Sequence, residues 1–580
     1  MLRPFLLKSV AFIAAAVLLV VAAAPARAAS AEDAWMKKLG GLAVQDGGRV
    51  MPLETYADNL AAQVTGRTRW SASSGPEAYA GRTSIQLLCD MMFNSHDLIG
   101  KPLFGIENRP FKRKIGLDPE KRFFSATELV NCKGLNDLLA EVEKARQLNG
   151  NAPTTREQNQ ALDVRGAIHR LSLFMDGEPL LIVPQPKGKT FLVAGIRGGD
   201  PGTEQVQAAF TNLSKAYTSG GDINAAVDAL VDAINAAGSI DPADLKRVNY
   251  ELFYNSHKPW LMTAILYGVA IVLFGVSRIA GAVLRKPLVI LAILCGVAGI
   301  VEHCLGITLR VLILERAPVS NTYEALLWMG LTGILLGGVA QAINRKGWYL
   351  FGGLAVAELS VLFSYLVPLE SQTNSLPAVL RSNYWLIVHV LTIVASYGVL
   401  AVGSLLGHVY LVKEVLMAKT APSPDERLSH PLVAQLYRAL QLGVLLLTAG
   451  TILGGVWAAD SWGRFWGWDP KETWALISIV VYFIMLHARY VRWLHDFGLA
   501  ASAVLGFAAI VWTFYGVNYL MASGLHSYGF GNGGGGWVAI WAIGEIVFIA
   551  VCKLKHRSML KAATPASEVT PIRAATPRSA

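Results

Sequence analysis

Five cysteines in 580 residues are too few for a disulfide framework, and none stands in a C-x-x-C or C-x-x-C-H arrangement. That excludes a chain stapled by disulfides and one that carries its own covalent c-type haem. Charge is also scarce, with 16% charged residues against 53% hydrophobic. A soluble protein of this length does not cover its surface with so little charge. Long apolar runs are missing between residues 30 and 257. From residue 259 they recur, each about 20 residues long, the length that crosses a bilayer core of about 30 Å. The net charge of +10 is spread between these runs and not gathered in one basic patch, so membrane lipid is an expected partner and nucleic acid is not.

The chain divides accordingly. Residues 1–29 combine a basic start (Arg3, Lys8), an apolar run from Ala11 to Ala24 and the small-residue end Ala26-Arg27-Ala28, which reads as a signal peptide or an N-terminal anchor. Residues 30–257 form an extracytoplasmic soluble domain of mixed α/β type. An amphipathic helix is expected there over Asp222 to Ala237, and short strands at Leu180 to Val183 and Thr190 to Val193. Cys89 and Cys132 also lie there, either bridged or as two free thiols. Residues 258–556 form an α-helical polytopic membrane domain, and residues 557–580, rich in Ala, Pro, Thr and Ser, a disordered cytoplasmic tail.

About nine spans are expected, at 259–278, 287–314, 323–343, 348–368, 383–412, 433–458, 473–493, 498–520 and 537–555. Alternate connections hold Arg278, Arg285 and Lys286; Arg345 and Lys346; Lys413, Lys419 and Arg427; and Arg489 and Arg492. The positive-inside rule makes that side cytoplasmic. The outer side then receives Glu315 to Tyr323, Leu369 to Tyr384, Ala459 to Thr473 and the Gly-rich Gly524 to Gly536.

One outer loop reads Trp462-Gly463-Arg464-Phe465-Trp466-Gly467-Trp468-Asp469-Pro470-Lys471-Glu472-Thr473-Trp474. Tryptophans commonly mark membrane interfaces, but such belts are spread over many helix ends, whereas these crowd one loop. Trp462, Trp466, Trp468 and Trp474, with glycines that let backbone approach closely, suit a large flat ligand, and Arg464 or Lys471 would meet its acidic substituents. Asp469 and Glu472 also suit the start of the next helix, so part of the pattern is capping.

Two histidines border the outer loops: His389, just inside the fifth span, and His526, in the loop after the eighth. Imidazoles facing across an aromatic platform suit axial ligation of haem iron. His303 and His487 lie within spans, roughly 16 and 21 Å below the outer face at 1.5 Å per residue, where ionisable groups are functional candidates. They fit one buried haem; the alternative for His303 is a polar contact with Glu302 or Arg310.

The segment from Trp462 to Ile477 resembles the WWD motif of haem-handling proteins. In combination with Ala317-Pro318-Val319-Ser320-Asn321-Thr322-Tyr323-Glu324-Ala325 and Leu486-His487-Ala488-Arg489, the chain resembles the system II cytochrome c synthases, of the CcsA or fused CcsBA type, over about residues 260–555. The resemblance implies a multi-pass protein of the bacterial inner membrane, with residues 30–257 and the WWD loop on the periplasmic side. It implies haem b as the substrate, carried across the membrane and presented on Trp462, Trp466, Trp468, Asp469 and Trp474. His389 and His526 would be the external axial ligands and His487 the buried one. Apocytochrome c would be the partner, its C-x-x-C-H thiols joined to the haem vinyl groups, with a thiol-reducing partner and a CcsB-like partner protein besides. The N-terminal part departs from the larger fused members, which leaves the partner of His487 to be chosen; His303 is the choice here. Two other functions fit the residues: a haem exporter or chaperone without synthase activity, and a b-type membrane electron-transfer protein.

Overall fold

Apolar residues recurring at helical spacing set the architecture. The computed structural model describes residues 34–66, 79, 81–149, 155–175, 180–185, 190–193, 201–345, 348–366, 384–418, 430–521 and 535–563. The expected leader at 1–29, the tail beyond 563 and the loop that holds His526 lie outside the described residues.

The N-terminal region is mostly helical. The helix expected over Asp222 to Ala237 spans Ile223–Ala237, with Asp222 as its cap, and Val227, Leu230 and Ile234 are its buried stripe. The described strands form three antiparallel pairs. The first joins β1 (Ala43–Asp46) to β2 (Arg49–Pro52) with Ala43 opposite Pro52. Gly47 and Gly48 both take positive φ at its tip, as a two-residue hairpin turn of matching twist requires. The second pairs β3 (Phe104–Gly105) with β4 (Phe123–Phe124). The third, β5 (Leu181–Val183) with β6 (Leu192–Val193), falls on the two runs read as strands. Cys89 and Cys132 are both free and buried, and burial pushes the Cys89 thiol up. Cys132 donates to the Ile115 carbonyl at 3.3 Å.

Helix α1 (Pro242–His257) carries this region to the membrane part and meets α2 (Pro259–Ile279) at Lys258, whose φ is +53°. There follow α3 (Ala282–Leu314), α4 (Thr322–Ile343), α5 (Tyr349–Leu366), α6 (Tyr384–Tyr410), α7 (Pro431–Trp462), α8 (Pro470–Tyr490), α9 (Asp496–Val511) and α10 (Gly535–Ala563). A helix thus stands at each of the nine expected spans. Among the described residues, seven helical runs are long and apolar enough to cross a membrane, those of α2, α3, α4, α6, α7, α8 and α9. The chain is a polytopic membrane protein. The start of α3 differs from expectation: the helix runs from Ala282 through Pro287, a proline past the first turn that leaves the Val283 carbonyl without its helical amide.

The helices bury two apolar clusters. Trp260 and Tyr267 of α2, Ile307 of α3, Leu327 and Leu331 of α4, and Ala357 and Val361 of α5 form one. Leu400 of α6, Leu440 and Leu447 of α7, Tyr482 of α8 and Leu499 and Val504 of α9 belong to the other. Trp328 packs against both and donates from its indole to the Leu391 carbonyl at 3.1 Å.

Candidate functional site

The site begins where glycines of α7 meet α6. A methyl on Gly450 would stand 2.8 Å from the Ile393 Cα, and one on Gly454 only 2.7 Å from the His389 ring. Small residues there let a half-buried imidazole sit flat on the neighbouring helix. His389 Nδ1 lies 2.6 Å from the Gly450 carbonyl oxygen. A carbonyl only accepts, so Nδ1 carries the proton and the lone pair of the neutral ring is on Nε2, the nitrogen a metal would take.

The tryptophan loop folds back on the next residue of α7. A methyl on Gly455 would meet the Phe465 ring at 2.5 Å, so Phe465 rests on that glycine. Helix α7 ends at Trp462, with Gly463 in the left-handed conformation as its cap, φ 69°. Trp462 meets buried Trp457 edge to face at 4.6 Å, and the Arg464 guanidinium lies 5.7 Å above its ring. Trp466 and Trp468 meet at 5.9 Å and 88°.

Trp468 has a φ of +57°, which L residues rarely adopt and bulky ones less often still. The Glu472 carboxylate holds it there, accepting from the amides on either side, Gly467 at 2.7 Å and Asp469 at 3.2 Å. The indole is left 70% exposed. Asp469 is buried and caps α8, accepting from the Lys471 amide at 3.0 Å, so its position is set by capping as much as by any ligand. The Arg464 guanidinium lies against Gly467, so a side chain there would have to push it aside. Its Nη1 is 3.6 Å from Glu472 Oε1, beyond hydrogen-bond distance, and both atoms are buried without a hydrogen-bond partner among the described residues. An incoming carboxylate would satisfy that guanidinium.

Other expected residues lie elsewhere. Lys471 turns into the bundle and donates to Asn518 Oδ1 at 2.7 Å, because a cation in the first turn of α8 finds the amide oxygen of the facing π-helical segment Trp512–Met521. Trp474 likewise faces that segment, 5.6 Å from the Trp512 ring. His303 is fully buried, with Nε2 3.0 Å from the Leu327 carbonyl and Nδ1 3.3 Å from the Tyr267 hydroxyl. Neither Glu302 nor Arg310 makes this contact: Glu302 pairs with His257 at 2.9 Å and Arg310 with Glu324 at 2.7 Å. His487 is on the exposed side of α8 and bonds back to the Phe483 carbonyl at 2.7 Å. The rings of His303 and His487 are not brought together. One packs among α2, α3 and α4, while the other is on a helix that packs on α7 and α9. His526 lies outside the described residues.

Sequence reasoning missed three features. One is the glycine seat of His389, visible as Gly450 and Gly454 four residues apart; another is Asn518, which gave no signal. The third is the buried cluster behind Val319 to Ala325, where Glu324 accepts from Arg310, from Arg316 at 3.4 Å and from the Ser320 amide at 3.0 Å. The Asn321-x-x-Glu324 spacing announces its cap but not its arginines.

Residues 319–526 match the family model described as Cytochrome C assembly protein. The chain is 38% identical over 238 residues to the cytochrome c biogenesis protein CcsA of Guillardia theta, a segment covering 37% of this chain and 77% of that protein. It is 37% identical over 245 residues to the CcsA of Prochlorococcus marinus strain SARG, with 37% and 75% covered. With protein NrfI of Wolinella succinogenes it shares 28% identity over 504 residues, 84% of this chain. The chain spans about half the length of NrfI, 53%. Fold and matches together define a multi-pass membrane protein of cytochrome c assembly. Within that class the chain belongs to the CcsA family of system II cytochrome c biogenesis proteins.

Proposed function

We propose that this chain is a holocytochrome c synthase. It takes haem b as substrate across the bacterial inner membrane, presents it at the rim formed by His389 and the tryptophan loop, and promotes its attachment to apocytochrome c. Residues 30–257 and the loop face the periplasm, behind a leader at 1–29, and residues 557–580 face the cytoplasm. The observation that carries this reading is the seating of His389 and Phe465 on adjacent residues of α7, Gly454 and Gly455, which joins the His389 imidazole to the loop.

His389 Nε2 is offered to the iron, with His526 as the second external ligand. Trp462, Trp466 and Trp468 supply ring surface and Arg464 meets a propionate, while Asp469 and Glu472 fix the loop. Lys471 and Trp474 act from behind, through Asn518 and Trp512. His487 retains a role as a ligand on the passage through the membrane, without His303, whose nitrogens are both engaged. Each cysteine thiol of the C-x-x-C-H site adds across a vinyl group: sulfur bonds to one carbon, the proton goes to the other, and no net oxidation occurs. The chain's contribution is to hold the reacting edge and thiols together. The thiols must arrive reduced, which calls for a thiol-reducing partner, and a CcsB-like protein is the expected companion.

Co-production of the chain with an apocytochrome, in a host stripped of its own maturation system, tests the reading. Covalent holocytochrome that falls on His389→Ala is the expected result. Haem bound without any covalent product would show an exporter or chaperone instead. Unchanged maturation after Trp466→Ala together with Trp468→Ala would sink the platform and favour an electron-transfer role.

A further inference from the structure

Glu358 stands in the middle of α5 and is 2% exposed. Both of its carboxyl oxygens are buried without a hydrogen-bond partner among the described residues. Its neighbours Ala357 and Val361 pack into the cluster that holds Tyr267 of α2. Glu358 and Tyr267 stand eight positions inside helix ends, Leu366 and Pro259, about 12 Å along their helices. Of the helices packed on α5, α2 brings the Tyr267 phenol to this cluster, α4 holds no lysine, arginine or histidine, and α6 holds only His389 and His408, which bond to Gly450 and Glu545.

A bare carboxylate in such a place is far costlier than a carboxylic acid, so the group takes up a proton. The other buried acids described in the membrane part all have partners: Glu324 has Arg310, Asp496 has Arg489 at 2.6 Å, and Asp469 accepts from the Lys471 amide as a helix cap. An apolar residue at 358 would pack without that cost, and ionisable groups within spans are functional candidates for this reason. We propose that Glu358 is a proton-binding site within the membrane, loaded at neutral pH and exchanging its proton as the chain works. The binding claim stands apart from the synthase reading; the exchange claim rests on it.

Infrared difference spectra of the full-length protein, wild type against Glu358→Gln, test the binding. The wild type should show the carbonyl stretch of a protonated carboxyl at neutral pH, lost on alkalinisation, regained on return and absent from the variant. No such difference, or a band already gone at neutral pH, would overturn it, whatever the fate of the cytochrome chemistry. For exchange, Glu358→Gln keeps the neutral shape but cannot release a proton. Holocytochrome yield should drop about ten-fold or more at unchanged protein level and melting temperature, with recovery in Glu358→Asp. A wild-type yield from Glu358→Gln would overturn exchange.

Discussion

Two Arg–Glu pairs stand near helix starts in this chain, and they are built to opposite ends. Glu324 follows the cap Asn321 by three residues and Glu472 follows the cap Asp469 by three. At α4 the carboxylate closes on Arg310 at 2.7 Å, with the two side chains 2% and 3% exposed. At α8 it is given over to the loop amides, and Arg464 stays 3.6 Å away. The first pair fastens helices to one another. The second shapes a loop and leaves a guanidinium with capacity for another acid. Stability and site chemistry are thus divided between two regions that share one local motif.

The largest effect should come from breaking the fastened pair. Glu324→Ala leaves Arg310 buried without its carboxylate, and loss of one partner from such a pair costs about 3–5 kcal/mol. Thermal unfolding of the detergent-solubilised protein should record that loss, or the variant should fail to accumulate. Glu472→Ala loses a cap and the clamp on Trp468, about 0.5–2 kcal/mol, while holocytochrome yield falls steeply. Equal losses of stability would break the comparison.

Gly454→Ala comes next. Its methyl would press on the His389 ring, and overpacking of this kind costs about 1–3 kcal/mol. Holocytochrome yield and haem content should fall with it, as after His389→Ala. A variant with normal yield would mean that the seat of His389 is packing alone.

Much of this was legible beforehand, for physical reasons that also mark the limit. The spans show in the sequence because apolar length is a local property, and the start of α8 shows because Asp469 and Glu472 cap within one turn. His303 was misjudged because its partners, Tyr267 and the Leu327 carbonyl, arrive from other helices, 36 and 24 residues away. Depth along a helix says nothing about which neighbour a helix face meets. Lys471 failed in the same way: its charge suggested the loop, and packing turned it to Asn518.

Trp468→Gly sharpens the contrast from the other side. Glycine takes a φ of +57° without steric penalty, so relief of strain should leave the protein unchanged or up to about 1 kcal/mol more stable. The yield of holocytochrome should nevertheless drop, the pattern expected where a site is kept at the expense of stability. A destabilised variant would show instead that the indole packs the loop.

The smallest effect lies in the N-terminal region, at Glu54. Burial raises its carboxyl above the ordinary value, against the hydrogen bond from Asn255 at 2.8 Å and with added repulsion from Asp58 and Glu251. A folded acid whose pKa is raised binds its proton more tightly than the unfolded chain does. The penalty is therefore complete at pH above the folded value and is relieved as pH falls through it toward the unfolded one. Glu54→Gln removes the charge but keeps an oxygen for Asn255, so it should raise the melting temperature slightly at neutral pH. That gain should shrink on acidification, because the wild-type carboxyl then becomes neutral by itself. A gain that does not depend on pH would mean that packing, and not charge, limits stability at this junction with α1.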